Sequence, residues 1–253
     1  MQGTFPFTYQ AYVTMLDMLR DHGYTFSDYH KWEEFDKPVI LRHDVDSSPE
    51  KALQLAKLEN KRGVHSTFFV LLTTDFYNVF SERTHECFKE ISKLGHEIGL
   101  HFDETRYPES FGDPSKNREH IIHEAAILGE TLGTPIATVS MHRPSKQMLE
   151  ADLYIPGIIN SYGKTFFHDF KYLSDSRHHW REPVADIIAA GTCPKLHILT
   201  HAVAWADEEK NLQEWVRGFM RDQMRTRWNV LNDNFTDLQS VLPYEEICQW
   251  LRE

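Results

Sequence analysis

The chain has no apolar run approaching the roughly eighteen residues that a membrane-spanning helix needs. It also lacks internal repeats, low-complexity segments and linker-like stretches, which excludes a solenoid and favours one domain over residues 1–253. Cysteine is scarce. Cys87, Cys193 and Cys248 are widely spaced and odd in number, so neither a disulfide framework nor a cysteine zinc site is expected. They read as small buried residues in a reducing compartment. Basic residues are outnumbered, 27 Lys and Arg against 38 Asp and Glu, for a net charge of −11. With no basic stripe to offset that charge, a nucleic-acid partner is excluded. The opening residues Met1-Gln2-Gly3-Thr4-Phe5-Pro6 carry neither the basic region nor the apolar core of a secretory signal, so a cytoplasmic location is expected.

What is present suits a folded enzyme-sized chain. A hydrophobic fraction of 41% and an aromatic fraction of 13% supply a sizeable core. Period and punctuation predict helices and strands in alternation. A helix from Thr8 to near Gly23 is followed by a strand over Val39–Asp46. Ser48 and Pro49 then form a helix start that Gly63 closes. A strand over His65–Leu72 precedes a helix over Glu82–Leu94, and a short strand over Glu97–Leu100 delivers His101. Phe102–Pro114 shows no period and reads as a long loop of the kind that carries function. A helix through Ile121, Ala125, Leu128 and Leu132 follows, then a strand over Ile136–Ser140. Short strands are expected at Ile158-Ile159 and Tyr172-Leu173, and a helix over Val184–Ala190. A last strand, Leu196–Thr200, delivers His201. Helices over Leu212–Trp228 and Tyr244–Leu251 finish the chain. Such alternation predicts an α/β barrel with parallel strands.

On a strand, Asp44 and Asp46 point the same way because side chains alternate between faces. Two carboxylates so placed repel unless a metal ion, a shared proton or a neighbouring arginine intervenes. Two solvated acids at a strand end are the plainer alternative. Asp44, Asp46, His101, His142, Arg143 and His201 all fall at the carboxyl ends of successive strands, where α/β barrels assemble their sites. That set points to a site more than any one of its members does.

Ordered motifs over roughly residues 38–205 resemble the polysaccharide deacetylases, the family-four carbohydrate esterases. They are Arg42-His43-Asp44-Val45-Asp46; Gly95-His96-Glu97-Ile98-Gly99-Leu100-His101; His142-Arg143-Pro144; Ser174-Asp175-Ser176-Arg177 with Trp180; and Leu199-Thr200-His201 with Trp205. The resemblance implies a distorted (β/α)7-type barrel in a single domain, with the N- and C-terminal helices packed on the motif core. It implies a hydrolase that removes an N-acyl group, acetyl or formyl, from an amino sugar. A nucleotide- or lipid-linked sugar is the expected partner.

By the same resemblance Asp44 is the general base, Arg143 pairs with Asp44 to keep it ionised, His201 is the general acid and Asp175 orients a charged partner. Asp46 and His101 bind a divalent metal ion, zinc. Trp180, Leu199 and Trp205 line an acyl pocket, His96 is structural, and His178 and His179 lie on the surface. One departure matters. The family's second metal histidine falls four residues after the first, and Thr105 stands there in this chain. Hydrolytic zinc keeps three protein ligands, so a third is needed: His142 on a rigid strand end, with Asp103 and Glu104 as the alternatives. Two other readings keep the fold: a metal-independent amide or ureide hydrolase, and an inert carbohydrate-binding relative.

Overall fold

The protein is seen here as a computed structural model, which describes residues 3–250; the side chain of Cys248 and the expected helix end at Leu251 lie outside the described residues. Two compact units divide the chain, Met1–Asp207 and Glu208–Glu253.

In the first unit the chain runs α1 (Tyr9–Asp21), β1 (Thr25–Ser27), β2 (Pro38–Val45), α2 (Pro49–Asn60), β3 (Thr67–Leu71), α3 (Glu82–Lys93) and β4 (Glu97–Phe102). It continues with α4 (Pro114–Leu132), β5 (Thr138–Met141), α5 (Lys146–Glu150), β6 (Ile159–Asn160), β7 (Lys171–Ser174), α6 (Val184–Ala190) and β8 (Leu196–Thr200). The helix boundaries follow the capping chemistry. Thr8 accepts from the Ala11 amide, Ser48 accepts from Lys51, and Pro49 opens α2. Gly133 and Gly191 end α4 and α6 at φ 66° and 62°, left-handed values that favour glycine.

All strand pairs are parallel, in the order β6-β5-β4-β3-β2-β8-β7, with β1 alongside the start of β2. Seven strands therefore curl into a barrel that stays open between β6 and β7, the distorted (β/α)7 arrangement expected. The β2 strand is central and all eight of its residues are buried. Period two sorts them. Val39, Leu41 and Val45 join the large core between sheet and helices, where Tyr12, Met15, Leu16 and Leu19 of α1 are also buried. Each such side chain contributes on the order of 1.5–3 kcal/mol over an exposed one. Ile40 faces inward with Phe69, Tyr29, Phe166 and Phe170 in a smaller cluster. Gly99 makes this interior possible, because a Cβ there would meet the Phe69 ring at 2.5 Å.

The structure adds elements with no strong pattern in the sequence, namely β1, α5 and a π turn over Thr165–Asp169. The Phe102–Pro114 segment holds two short 3-10 turns, Glu104–Arg106 and Pro108–Ser110. The second unit consists of α7 (Leu212–Asn234), α8 (Leu238–Val241) and α9 (Tyr244–Trp250). Asn211 and Glu214 form a capping box at the start of α7, and Trp228 Nε1 donates to the Leu242 carbonyl. The α7 helix runs past its expected end at Trp228, and none of its residues is buried.

Candidate metal and acid–base site

Three side chains from three strand ends converge. Asp46 follows β2, His101 lies in β4, and His142 follows β5. Asp46 Oδ1 lies 3.2 Å from His101 Nε2 and 3.4 Å from His142 Nδ1, and the two ring nitrogens are 3.1 Å apart. Ligand atoms of a tetrahedral zinc ion at about 2.1 Å sit roughly 3.4 Å from one another. The three separations match that spacing. Asp46 Oδ1 is buried with no hydrogen-bond partner of good geometry among the described residues. An orphaned carboxylate oxygen facing two imidazole nitrogens is a donor set that fits a divalent cation. The other candidate ligands are engaged elsewhere. Asp103 accepts from the Thr105 amide and hydroxyl and pairs with Arg143. Glu104 accepts from the Gly112 and Ser145 amides and from Asn117, which pins its loop. Asp103 thus caps the turn that contains Thr105.

Asp44 lies beside this cluster, its Oδ2 at 3.6 Å from His101 Nε2. Burial pushes its carboxyl up, but the adjacent Arg42 guanidinium and the His101 and His201 imidazoles together hold it below the usual range. The pairing with Arg143 expected from the sequence does not occur. Arg42 Nη2 reaches Asp44 Oδ2 at 2.8 Å, whereas Arg143, 68% exposed, reaches Asp103 Oδ2 at 2.7 Å. The reason is local. Residues two apart on a strand share a face, so Arg42, Asp44 and Asp46 all point inward. Arg143 follows the inward His142 beyond the end of β5, and its left-handed φ of 50° takes it off the strand's alternation. Arg42 is fully buried, donates to Ser140 and Ser161, and lies over the Phe69 and Tyr162 rings. Period two along Arg42-His43-Asp44-Val45-Asp46 was the signal that could have found it.

On the far side of Asp46 stands His201, with Nε2 at 3.8 Å from Asp46 Oδ2. Its Nδ1 meets Asp175 Oδ1 at 2.6 Å, and its backbone amide donates to both carboxylate oxygens of Asp175. Burial pushes the His201 imidazole down, but the fully buried Asp175 overrides it and raises the group to about 9. His201 is therefore an imidazolium at neutral pH, with Nε2 turned toward the cluster. The geometry sets an ionised carboxylate and a charged imidazolium beside three side chains spaced to hold a cation.

No family model matches the chain. No curated protein matches it in sequence either. Among solved structures it is similar to a polysaccharide deacetylase from Bacillus cereus, with 15% identity, a TM-score of 0.42, and 66% of this chain and 79% of that one covered. It is similar to the catalytic domain of a peptidoglycan N-acetylglucosamine deacetylase from Eubacterium rectale, with 14% identity, a TM-score of 0.46, and 76% and 86% covered. A CE4 family pseudoenzyme from Bacillus anthracis is a further neighbour, with 12% identity, a TM-score of 0.43, and 66% and 55% covered. At these scores the chemistry has to be argued from the residues present.

The remaining expected site residues pack in the interior. Trp205 is fully buried, edge-on to Tyr12 at 4.8 Å between ring centroids. Trp180 donates from Nε1 to the Phe5 carbonyl and stacks with Phe7. These contacts with the N-terminal segment account for their burial without an acyl pocket. Leu199 pairs with Arg42 and Ser174 in the ladder and shares the inward face of β8 with His201. His96 is buried against Glu59, as a structural histidine should be, while His179 is exposed and His178 stacks on Phe7. Cys87 is buried and free, and Cys193 is free and half-buried. Among the described residues no helix is long and apolar enough to cross a membrane.

Proposed function

We propose that this chain is a metal-dependent hydrolase that removes an N-acyl group, acetyl or formyl, from an amino sugar. The observation that carries the reading is the mutual spacing of Asp46 Oδ1, His101 Nε2 and His142 Nδ1 at 3.1–3.4 Å, flanked by Asp44 and His201. The motif resemblance to the polysaccharide deacetylases supplies the bond type and substrate class. Asp46, His101 and His142 hold the metal, and zinc suits a carboxylate-and-imidazole set. Bound there, it supplies a Lewis acid for the acyl carbonyl and lowers the pKa of water.

The protein's own groups do the proton work. Asp44, kept ionised by Arg42, takes a proton from the attacking water. His201 then gives its Nε2 proton to the departing amine, so that the amine leaves neutral rather than as an anion. Asp175 holds the ring in one orientation through Nδ1 and stabilises its charged form. A sugar linked through phosphate to a nucleotide or lipid carrier is supported by the exposed Arg143 guanidinium beside His142, which can meet a phosphate oxygen. A cytoplasmic place of action belongs to the same reading.

The test is release of acetate or formate from N-acylated sugars, with UDP-N-acetylglucosamine and diacetylchitobiose as first probes. Asp44→Asn should abolish release per folded molecule while zinc content is kept, with stability lowered because Arg42 loses its buried partner. Turnover within a few-fold of wild type would remove Asp44 as the base.

A further inference from the structure

A second polar network lies on the opposite face of the sheet from the site, and its hub is Glu59 near the end of α2. This carboxylate is fully buried. Tyr12 of α1 donates to Oε1 and Ser66, just before β3, donates to Oε2 at 2.7 Å. His43 Nε2 meets Oε1 at 3.0 Å, and His96 Nδ1 lies 3.6 Å from Oε2. The hydrogen-bond pattern assigns the His96 tautomer. Its Nδ1 accepts from the Ser66 amide, so Nε2 carries the proton and donates to the Ala56 carbonyl. His43 passes the network on, because its Nδ1 meets Thr200 Oγ1 at 2.7 Å.

The sequence positions of these partners matter. His43 immediately precedes Asp44 on β2, Thr200 immediately precedes His201 at the end of β8, and the two are paired in register. Alternation then puts Asp44 and His201 on the other face of the same two residue pairs. His96 leads into β4, which delivers His101. Buried polar networks whose members are all satisfied fix one arrangement of the elements they join. Here one carboxylate joins α1, α2 and the starts or ends of the strands that carry the base, the acid and a metal ligand.

We propose that Glu59 is a positioning residue: acting through His43 and Thr200, it fixes β2 against β8 and so sets the distance between the Asp44–Asp46 pair and His201. This rests on the hydrolase reading for its kinetic consequence, and on the fold alone for its geometric one. A small displacement at a site suffices to slow chemistry, since about 1 Å of misplacement can cost on the order of a hundredfold in rate.

Thr200→Val removes only the hydroxyl and keeps the volume, and Glu59→Gln removes the charge. Hydrolysis of 4-nitroacetanilide by the zinc-loaded protein reads an acyl transfer to water whose departing amine needs a proton, without needing a particular sugar. Both variants should lower kcat by about tenfold or more with KM within about twofold, and Thr200→Ser should restore it. Zinc affinity of Thr200→Val should stay within about threefold of wild type, because β8 carries none of the three metal ligands. Variants that lose only thermal stability, with kcat per folded molecule unchanged, would overturn the proposal. A wild type inert toward the probe counts against the hydrolase reading, not this one. The crystal structure of Thr200→Val then decides, through the 3.8 Å separation of His201 Nε2 and Asp46 Oδ2. An unchanged separation overturns the proposal and a widened one upholds it.

Discussion

Arg42 Nη2 lies 2.8 Å from Asp44 Oδ2, with both side chains buried, and this pair occupies the place expected for Arg143. The two arginines should therefore respond differently to replacement. Arg42→Met leaves Asp44 as an unpaired buried charge and should destabilise the fold by about 3–5 kcal/mol in urea denaturation. Arg143→Ala removes an exposed guanidinium from Asp103, which keeps its hydrogen bonds from Thr105, and should change stability by less than about 1 kcal/mol. Equal losses in the two variants would contradict the assignment.

The Asp175–His201 pair predicts an alkaline limit to activity. His201, raised to about 9 by Asp175 against the effect of burial, is protonated below that value and loses its proton above it. Turnover should fall as the pH rises through about 9, because the general acid proposed for the reaction is then deprotonated. Asp175→Asn withdraws the anion and should move the alkaline limb of the pH–rate profile down by about 1–3 units. An unmoved limb would show that another group sets it.

Glu124 on α4 predicts a pH dependence of stability away from the site. It is 3% exposed, accepts from Tyr107 at 2.8 Å through Oε1, and has no partner for Oε2 among the described residues. Burial raises its carboxyl from 4.5 to about 7. A folded value above the unfolded one means the folded state holds the proton more tightly. The benefit is full below about 4.5 and is lost as the pH rises through about 7. Glu124→Gln should flatten stability over that window and make the protein more stable than wild type at pH 8, by up to about 3 kcal/mol. A pH profile identical to wild type would contradict this.

Much of this arrangement was legible from period and punctuation. Gly133 and Gly191 marked helix ends, Ser48 and Pro49 marked a start, and the run into Asp44 and Asp46 marked the central strand. The strand ends carrying Asp46, His101, His142 and His201 could be placed on one rim because parallel strands share a direction. The partner of Asp44 was misplaced because the motif resemblance drew attention to Arg143, while alternation along β2 already put Arg42 on the right face. Trp180 and Trp205 show the other limit. An aromatic near a motif has the same sequence signature whether it lines a pocket or packs against Phe5, Phe7 and Tyr12. Glu59 was not legible at all, since its importance comes from contacts with residues as far as 47 positions away in sequence.

The spacing of Asp46, His101 and His142 makes metal content the most direct measurement. Untagged wild type, His101→Ala and His142→Ala would be equilibrated with zinc, dialysed and assayed by elemental analysis. The account predicts about one equivalent in the wild type and loss in both variants, since a hydrolytic zinc site keeps three protein ligands. A wild type that retains no zinc, or a His142→Ala protein that keeps it undiminished, would contradict the three-ligand site.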